Sequence, residues 1–315
     1  MTSSPKDTSG EGVPPGVSLT ERATDLGFGI GWSAVRAMPD PVVERVFRRI
    51  ADRTWRRQGQ GVRQLMANLS RVLPAERLPE LEDVAHEGVR RYMRYWSEVF
   101  RLPEWSPQRV NDTFVVVEGE DRLDAAMSAG SGAVLALTHS GNWDLAGAWG
   151  CHRYGGLVTV AERLKPESLY DRFVAYRESL GMEVLPLGDS DVLRVLTRRL
   201  REGRLVCLLA DRDLAHSGVP VDFFGERASM PGGPAVLAQL TGAPLIPVSL
   251  WFDQERTLAK IGEPIVTDAG GDRGELVAAS TQAMADAFAV EIARHPEDWH
   301  MMQRLWHADL GGGQQ

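Results

Sequence analysis

The sequence has few of the residues that stabilise disulfide-rich or metal-bound proteins. Only two of its 315 residues are cysteine, Cys151 and Cys207, and each lies among apolar neighbours. This pattern is typical of small buried side chains in a reducing compartment and disfavours a disulfide framework. No cysteine or histidine spacing matches a zinc site, so we predict no bound metal.

Long apolar runs are also absent. The strongest, residues 244–252, falls far short of the roughly 18 to 20 residues that cross a bilayer. Residues 1–17 contain serine, glycine, proline and charged residues without the apolar core of a signal peptide, so we predict a disordered tail there. The protein is therefore expected in the cytosol or on the surface of a membrane.

Charge is distributed unevenly along the chain. The net charge is −8, yet residues 36–71 hold nine arginines against Asp40, Glu44 and Asp52, a local balance of +6. The acidic overall charge and the lack of a recognised binding motif count against nucleic acid, so we predict no nucleic-acid partner. The basic region gives the surface a local bias toward anionic partners.

An amphipathic helix is predicted from residue 42 onwards. Val42, Val46, Phe47 and Ile50 recur at helical spacing, with arginines at intervening positions. The arginines can lie on an anionic inner membrane surface, each contributing about 1 kcal/mol, while the apolar side chains dip into the interface. The alternative is that these apolar side chains pack onto the rest of the protein and the arginines are solvated.

The pattern of apolar residues changes after residue 107. Only helices are predicted before this point, whereas short apolar β-type runs alternate with helices after it. This alternation is typical of an α/β fold with a largely parallel central sheet flanked by helices, here with an N-terminal helical extension. The predicted strands cover residues 114–118, 133–138, 157–161, 183–187, 205–210 and 244–251. The predicted regions are a disordered tail (1–17), a helical membrane-associating region (18–107), an α/β domain (108–306) and a flexible tail (307–315).

The most informative stretch, residues 138–144, follows an apolar strand. His139 falls at the carboxyl end of that strand, where ligands bind in parallel sheets. Gly141 permits a sharp turn, and Asn142 is a good N-cap for the next helix. Asp144 lies in the first turn of that helix, and its carboxylate can fold back toward the imidazole to form a general base. The alternative is a structural histidine beside an ordinary helix-start aspartate.

A second charged cluster ends the predicted strand at 205–210. Asp211, Arg212 and Asp213 belong either to the same cleft as His139 or to an exposed loop. The sequence has no Gly-x-Ser-x-Gly nucleophile elbow, which argues against a covalent serine intermediate.

The segment Thr-His-Ser-Gly-Asn-Trp-Asp resembles the His-four-residues-Asp box of the glycerolipid acyltransferases. Its Asn-Trp-Asp form is similar to that of the lipid A biosynthesis acyltransferase family, and within it to the branch that acylates phosphatidylinositol mannosides. The similarity extends from about residue 25 to residue 306. Further matching stretches lie at 160–166, 210–214, 221–226 and 231–235.

The resemblance implies a glycerolipid-acyltransferase-like fold and a cytoplasmic-side peripheral enzyme of the cell membrane. It implies transfer of a long acyl chain from acyl-CoA, the donor substrate, to a mannose hydroxyl of phosphatidylinositol mannoside, without a cofactor. His139 is the implied base that deprotonates this hydroxyl. The alternatives are an acyltransferase for another glycolipid or a lysophospholipid, and a non-catalytic lipid-binding protein.

The resemblance also implies an acidic partner for His139, supplied by the loop after the strand at 205–210. Either Asp211 or Asp213 can fill this role, and we favour Asp213 as the catalytic residue. Asp144 is also a candidate catalytic residue. With Asp213 as the partner, Asp144 can either relay charge or shape the turn.

The remaining candidate residues are implied to bind substrate. Glu162 and Arg177 match positions that the resemblance assigns to the active-site groove, and the alternative for both is an ordinary surface ion pair. Arg163 and Arg212 can hold phosphate or polarise the thioester carbonyl, because the guanidinium fork suits phosphate oxygens.

Overall fold

The computed structural model describes residues 32, 35–214, 217–266 and 271–311. A seven-stranded sheet forms its centre, and a two-stranded hairpin lies beside it. The strands are β1 Phe114–Glu118, β2 Ala133–Leu137, β3 Leu157–Ala161, β4 Met182–Pro186, β5 Leu205–Leu209, β6 Val219–Phe223, β7 Glu226–Met230, β8 Leu245–Asp253 and β9 Arg256–Ile261.

Helices precede the sheet and alternate with its strands. They are α1 Asp40–Arg57, α2 Gln60–Val72, α3 Leu81–Val99, α4 Pro107–Thr113, α5 Glu120–Ser128, α6 Trp143–Tyr154, α7 Glu167–Ser179, α8 Val192–Arg201, α9 Gly233–Thr241, α10 Arg273–Arg294 and α11 His307–Leu310.

The central sheet has the strand order β1-β9-β8-β2-β5-β3-β4. From β8 to β4 every neighbouring pair is parallel. Strand β9 is antiparallel to β8, and β1 is parallel to β9. The prediction of a largely parallel α/β sheet flanked by helices is confirmed. Strands β2 and β5 are neighbours, so the segments that follow them emerge side by side.

Both faces of the sheet are buried, which explains the continuous apolar runs of its central strands. All five residues of β2 are buried. Val134 and Val206 belong to the cluster on one face, and Leu135 and Leu205 belong to the cluster on the other.

The N-terminal helices share the core of the α/β region. Leu65 and Leu69 of α2 and Val89 of α3 belong to the same buried cluster as Val134 of β2. In α1, Phe47 is only 8% exposed, so this residue of the predicted membrane-facing stripe packs inward.

Three strands were not predicted from the sequence. Strands β6, β7 and β9 mix apolar with polar or charged residues, whereas the predicted strands were continuous apolar runs. The predicted C-terminal tail also begins with helix α11, in which Asp309 forms an ion pair with Arg71 at 2.8 Å. The predicted tail at 1–17 lies outside the described residues.

Helix α10 is long and apolar enough to cross a membrane by length and composition alone. It packs against β6, β8 and α9. Met284, Phe288 and Ile292 lie on its buried side. A core helix meets the same length and composition criterion, and these contacts make α10 part of the core.

Candidate active site

A tight turn joins β2 to α6 and carries His139. Gly141 adopts a φ of +55°, and a Cβ there would lie 3.0 Å from backbone atoms of Leu250 and Trp251. Only glycine fits this turn without strain. Asn142 begins α6 as its N-cap, because its side-chain oxygen accepts a hydrogen bond from the N–H of Leu145 at 2.9 Å.

The imidazole of His139 is held by a buried carboxylate. Its Nδ1 atom lies 2.6 Å from Oδ1 of Asp211, and its backbone N–H donates to Oδ2 at 2.9 Å. The side chain of His139 is 24% exposed, whereas that of Asp211 is fully buried. When Nδ1–H donates to the carboxylate, Nε2 is the ring atom that can accept a proton.

The charge on Asp211 is stabilised despite its burial. Burial alone would raise the pKa of this carboxyl, but the attraction of His139 and hydrogen bonds from His139 and Trp299 outweigh it and lower the pKa below its ordinary value. The Trp299 indole N–H donates to Oδ2 of Asp211 at 3.0 Å. The carboxyl group beside the ring of His139 is therefore ionised at neutral pH.

Sheet register explains why Asp211 contacts the ring. Leu137 of β2 is paired with Leu209 of β5, and the next residue, Ala210, still donates its N–H to the carbonyl of Leu137 at 2.8 Å. Two residues further along each strand, His139 and Asp211 are level and lie on the same face.

The sequence favoured Asp213 as the partner of His139, but the structure instead places Asp211 beside the ring. Asp213 accepts a hydrogen bond from the N–H of Gly218 at 2.7 Å. Its carboxylate therefore holds the loop after β5, and Asp213 lines the groove described below.

Asp144, in the first turn of α6, forms a buried ion pair with Arg177 of α7. Its carboxylate accepts hydrogen bonds from Nε of Arg177 at 2.8 Å and from the hydroxyl of Tyr95 at 2.7 Å. Burial lowers the pKa of Arg177, but Asp144 outweighs burial and raises it above its ordinary value. The spacing suggested a carboxylate folded toward the imidazole. The structure shows a carboxylate that ties α6 to α3 and α7.

His139 opens onto a groove of about 620 Å³. This volume lies within the range of roughly 300 to 1,000 Å³ that is common for ligand pockets. Most of its wall is apolar, and the buried part contains Leu196 and Leu237. Other apolar lining residues include Trp96, Trp143, Val160, Phe173, Leu208 and Val236.

The other four predicted substrate-binding residues, all except Asp211, lie in different environments. Glu162 is exposed and lines the groove. Arg177 also lines the groove, and its guanidinium is paired with Asp144. Arg163 is 53% exposed, pairs with Asp189 at 3.2 Å and is not part of the groove wall. Arg212 lines the groove and is half-buried. Within the described ranges it has no hydrogen-bond or ion-pair partner.

The sequence did not identify Trp299 or His300 as parts of this site. Both lie in the segment after α10, and Trp299 is 88 residues downstream of Asp211. No local motif marks them, because only the tertiary fold brings this segment beside the turn after β2. Across the part of the chain that the structure describes, there is no group of three or more His, Cys, Asp or Glu side chains arranged to hold a metal ion.

Ser140 follows His139 in the turn, a position that already argued against a role as nucleophile. It is 5% exposed, and its hydroxyl accepts a hydrogen bond from the hydroxyl of Thr138 at 2.8 Å. A buried hydroxyl in this arrangement is poorly placed to attack a substrate in the groove.

The site thus consists of a histidine hydrogen-bonded to a buried carboxylate, at the carboxyl edge of a largely parallel sheet and beside an apolar groove. The model of the bacterial lipid A biosynthesis acyltransferase family matches residues 15–308. The chain belongs to this family, so the family resemblance seen in the sequence is confirmed.

Curated relatives match nearly the whole chain. A phosphatidylinositol mannoside acyltransferase from Mycobacterium tuberculosis (strain ATCC 25618 / H37Rv) is 50% identical over 299 residues, which cover 94% of this chain and 92% of the relative. A protein of the same name from Mycolicibacterium smegmatis (strain ATCC 700084 / mc(2)155) is 48% identical over 296 residues, covering 93% of this chain and 95% of the relative.

Proposed function

We propose that this acyltransferase moves a long-chain fatty acyl group from acyl-CoA to a mannose hydroxyl of phosphatidylinositol mannoside, with His139 as the general base. The acceptor is proposed from the names of the curated relatives at about half identity over nearly the full chain. The chemistry is proposed from one observation: the ring of His139 is bonded to the buried Asp211 and opens onto an apolar groove.

The proposed reaction is a direct acyl transfer. Nε2 of His139 removes the proton from the acceptor hydroxyl as the oxygen attacks the thioester carbonyl carbon. The resulting imidazolium is stabilised by the Asp211 carboxylate. The tetrahedral intermediate then collapses, the carbon–sulfur bond breaks, and the departing thiolate takes the proton from the ring. General-base catalysis of this kind contributes roughly 10²-fold to 10⁴-fold.

The groove offers separate environments for the two parts of an acyl thioester. Apolar residues such as Leu196 and Leu237 can surround the fatty chain. Arg212, half-buried in the groove wall, can bind a phosphate oxygen of the donor or polarise the thioester carbonyl. Glu162 lies on the exposed part of the wall, where its carboxylate can accept hydrogen bonds from sugar hydroxyls.

We further propose that the protein works on the cytoplasmic face of the cell membrane as a peripheral protein. On the outer face of α1, the apolar residues Val42 and Ile50 are 41% and 43% exposed. Arg45, Arg49 and Arg53 follow at helical spacing and are exposed as well. This face can dip apolar side chains into the interface while its arginines contact anionic lipid headgroups.

The groove rim supports the same placement. Leu164 and Leu193 line the groove and are 38% and 44% exposed. Exposed leucines beside a binding groove suit an entrance for a lipid substrate. A lipid acceptor can then approach His139 without leaving the bilayer surface.

Purified protein, palmitoyl-CoA and a panel of glycolipid and lysophospholipid acceptors, with products identified by mass spectrometry, test the proposed reaction. We expect the acylated phosphatidylinositol mannoside to be the main product. His139→Ala should abolish transfer and leave binding to acceptor-containing liposomes intact. His152→Ala is the matched control, because His152 is an exposed histidine of α6, and its activity should equal that of the wild type.

Three results would contradict parts of the proposal. Turnover by His139→Ala would reject the general-base role. A main product from a different acceptor would reject the assigned substrate. Transfer from an acyl carrier protein but not from palmitoyl-CoA would reject acyl-CoA as the donor.

A further inference from the structure

The segment after α10 (residues 298–300) is hydrogen-bonded to the turn that carries His139, on each side of Ser140. The N–H of His300 donates to the carbonyl of His139 at 2.8 Å, and the N–H of Gly141 donates to the carbonyl of Asp298 at 3.1 Å. Ser140 and Trp299 form an isolated antiparallel bridge between these bonds. The C-terminal segment thus acts as a short strand alongside the turn.

This segment also reaches the carboxylate partner of the ring. The indole N–H of Trp299 donates to Oδ2 of Asp211, the oxygen that also accepts the backbone N–H of His139. Trp299 and Asp211 are both 0% exposed. Two donors on Oδ2 therefore orient the carboxylate so that Oδ1 meets the ring nitrogen.

The segment is itself anchored to the fold. Asp298, which is 0% exposed, accepts hydrogen bonds from the guanidinium of Arg91 at 2.6 Å and from the N–H of Phe252 at 3.1 Å. His300 packs among aromatic rings, including those of Tyr92 and Trp143. Trp299 is thus held between two anchored neighbours and has little freedom to move away from Asp211.

We propose that Trp299 is a positioning residue for acyl transfer: its indole N–H fixes the Asp211 carboxylate and thereby holds the imidazole of His139 in its reactive orientation. This inference rests on the proposed role of His139 as the general base. Trp299 lies behind Asp211 and does not line the groove, so it acts on the rate of transfer through Asp211 and leaves substrate binding unaffected. Hydrogen bonds that orient a reactive group in this way are a common determinant of rate.

Trp299→Phe tests the inference, because it removes the N–H and retains an aromatic ring. A lost hydrogen bond to a buried charged group corresponds to a decrease in kcat of about 10-fold to 100-fold, and KM for both substrates should stay unchanged. Trp306→Phe is the matched control. Trp306 is also 0% exposed, and its indole N–H donates to the carbonyl of Phe223 at 2.9 Å, in the same aromatic cluster but with no bond to Asp211.

A loss of kcat in Trp299→Phe that Trp306→Phe does not show would support the positioning role. Equal effects of the two changes, or a rise in KM without a loss of kcat, would overturn it. If Trp299→Phe does not fold, benzothienylalanine at position 299 replaces only the N–H by sulfur and permits the same comparison. Turnover by His139→Ala would reject the general-base proposal itself, whereas an inactive His139→Ala with a fully active Trp299→Phe would reject only the positioning role.

Discussion

The Nδ1 atom of His139 lies 2.6 Å from Oδ1 of Asp211, although 72 residues separate the two in the chain. The pairing follows from adjacent parallel strands, because β2 and β5 end level with each other and each continues for two residues. The acidic member of the pair is thus set by sheet register, and the aspartate five residues after the histidine has a different role.

Asp211→Asn should lower kcat by about 10³-fold to 10⁴-fold. The amide cannot stabilise the imidazolium and can hold the ring in the wrong tautomer, as in the serine-protease triad. Asp213→Asn is the control, because its carboxylate accepts from the N–H of Gly218 and a smaller loss is expected. Initial rates of acyl transfer by both variants check the prediction. A greater loss in Asp213→Asn would assign the partner role to Asp213.

Much of the central fold could be predicted because local chemistry determines it. Strand β2 is apolar throughout since both faces of the sheet are covered, and the turn after it is recognisable from Gly141 and Asn142. Strand β9 was missed because its pattern, with Arg256 and Lys260 among apolar residues, reflects a position near the sheet edge. Such a position depends on neighbours that are distant in sequence.

The candidate site was predictable only in part, for the same reason. His139 was found because a strand end and a turn can be recognised locally. Choosing between Asp211 and Asp213 required the register of β2 against β5, which one sequence does not provide. Identifying Trp299 as part of the site required knowing that the segment after α10 lies beside the turn that carries His139. No residue spacing in the sequence indicates this.

Asp144→Asn should destabilise the protein by about 3 to 5 kcal/mol. Removal of one partner from a buried ion pair leaves the other charge uncompensated, here the guanidinium of Arg177, whose side chain is 16% exposed. Urea unfolding followed by circular dichroism measures the loss. Asp191→Asn is the control, because Asp191 and Arg194 form a pair in which both side chains are 66% exposed. Its stability should remain near that of the wild type, and equal losses would contradict the structural role of Asp144.

His300 should make a destabilising contribution to folding at mildly acidic pH, opposite in sign to that of Asp298, whose pKa is raised by burial to about 7. Burial lowers the pKa of His300 from 6.5 to about 3. Its buried Nδ1 has no hydrogen-bond partner among the described residues. As the pH falls below 6.5, the unfolded chain binds a proton at this site and the folded protein does not, so folding becomes less favourable. Between pH 8 and pH 5 this difference amounts to about 2 kcal/mol.

His300→Phe should remove that part of the pH dependence, since phenylalanine carries no titrating group and suits the surrounding aromatic rings. The measurement is the free energy of unfolding in urea at pH 8 and pH 5 for both proteins. A substitution at the exposed His152 should leave the wild-type pH dependence in place. An unchanged difference between the two pH values in His300→Phe would show that His300 is not the responsible group.

The length of the transferred chain should depend on the space beside α9. Val236 is half-buried in the groove wall, next to the buried Leu237, so a larger side chain there removes room from the apolar part of the groove. Val236→Phe should lower transfer from palmitoyl-CoA relative to lauroyl-CoA by at least about 10-fold, the discrimination that a few methylene groups provide in an apolar pocket. Competition between the two donors, read by mass spectrometry, gives this ratio directly.

Val290→Phe makes the same change at a 50% exposed position on α10 and should leave the ratio unaltered. A ratio unaffected by Val236→Phe would mean that the acyl chain lies elsewhere, because a chain bound in this groove cannot avoid the added ring.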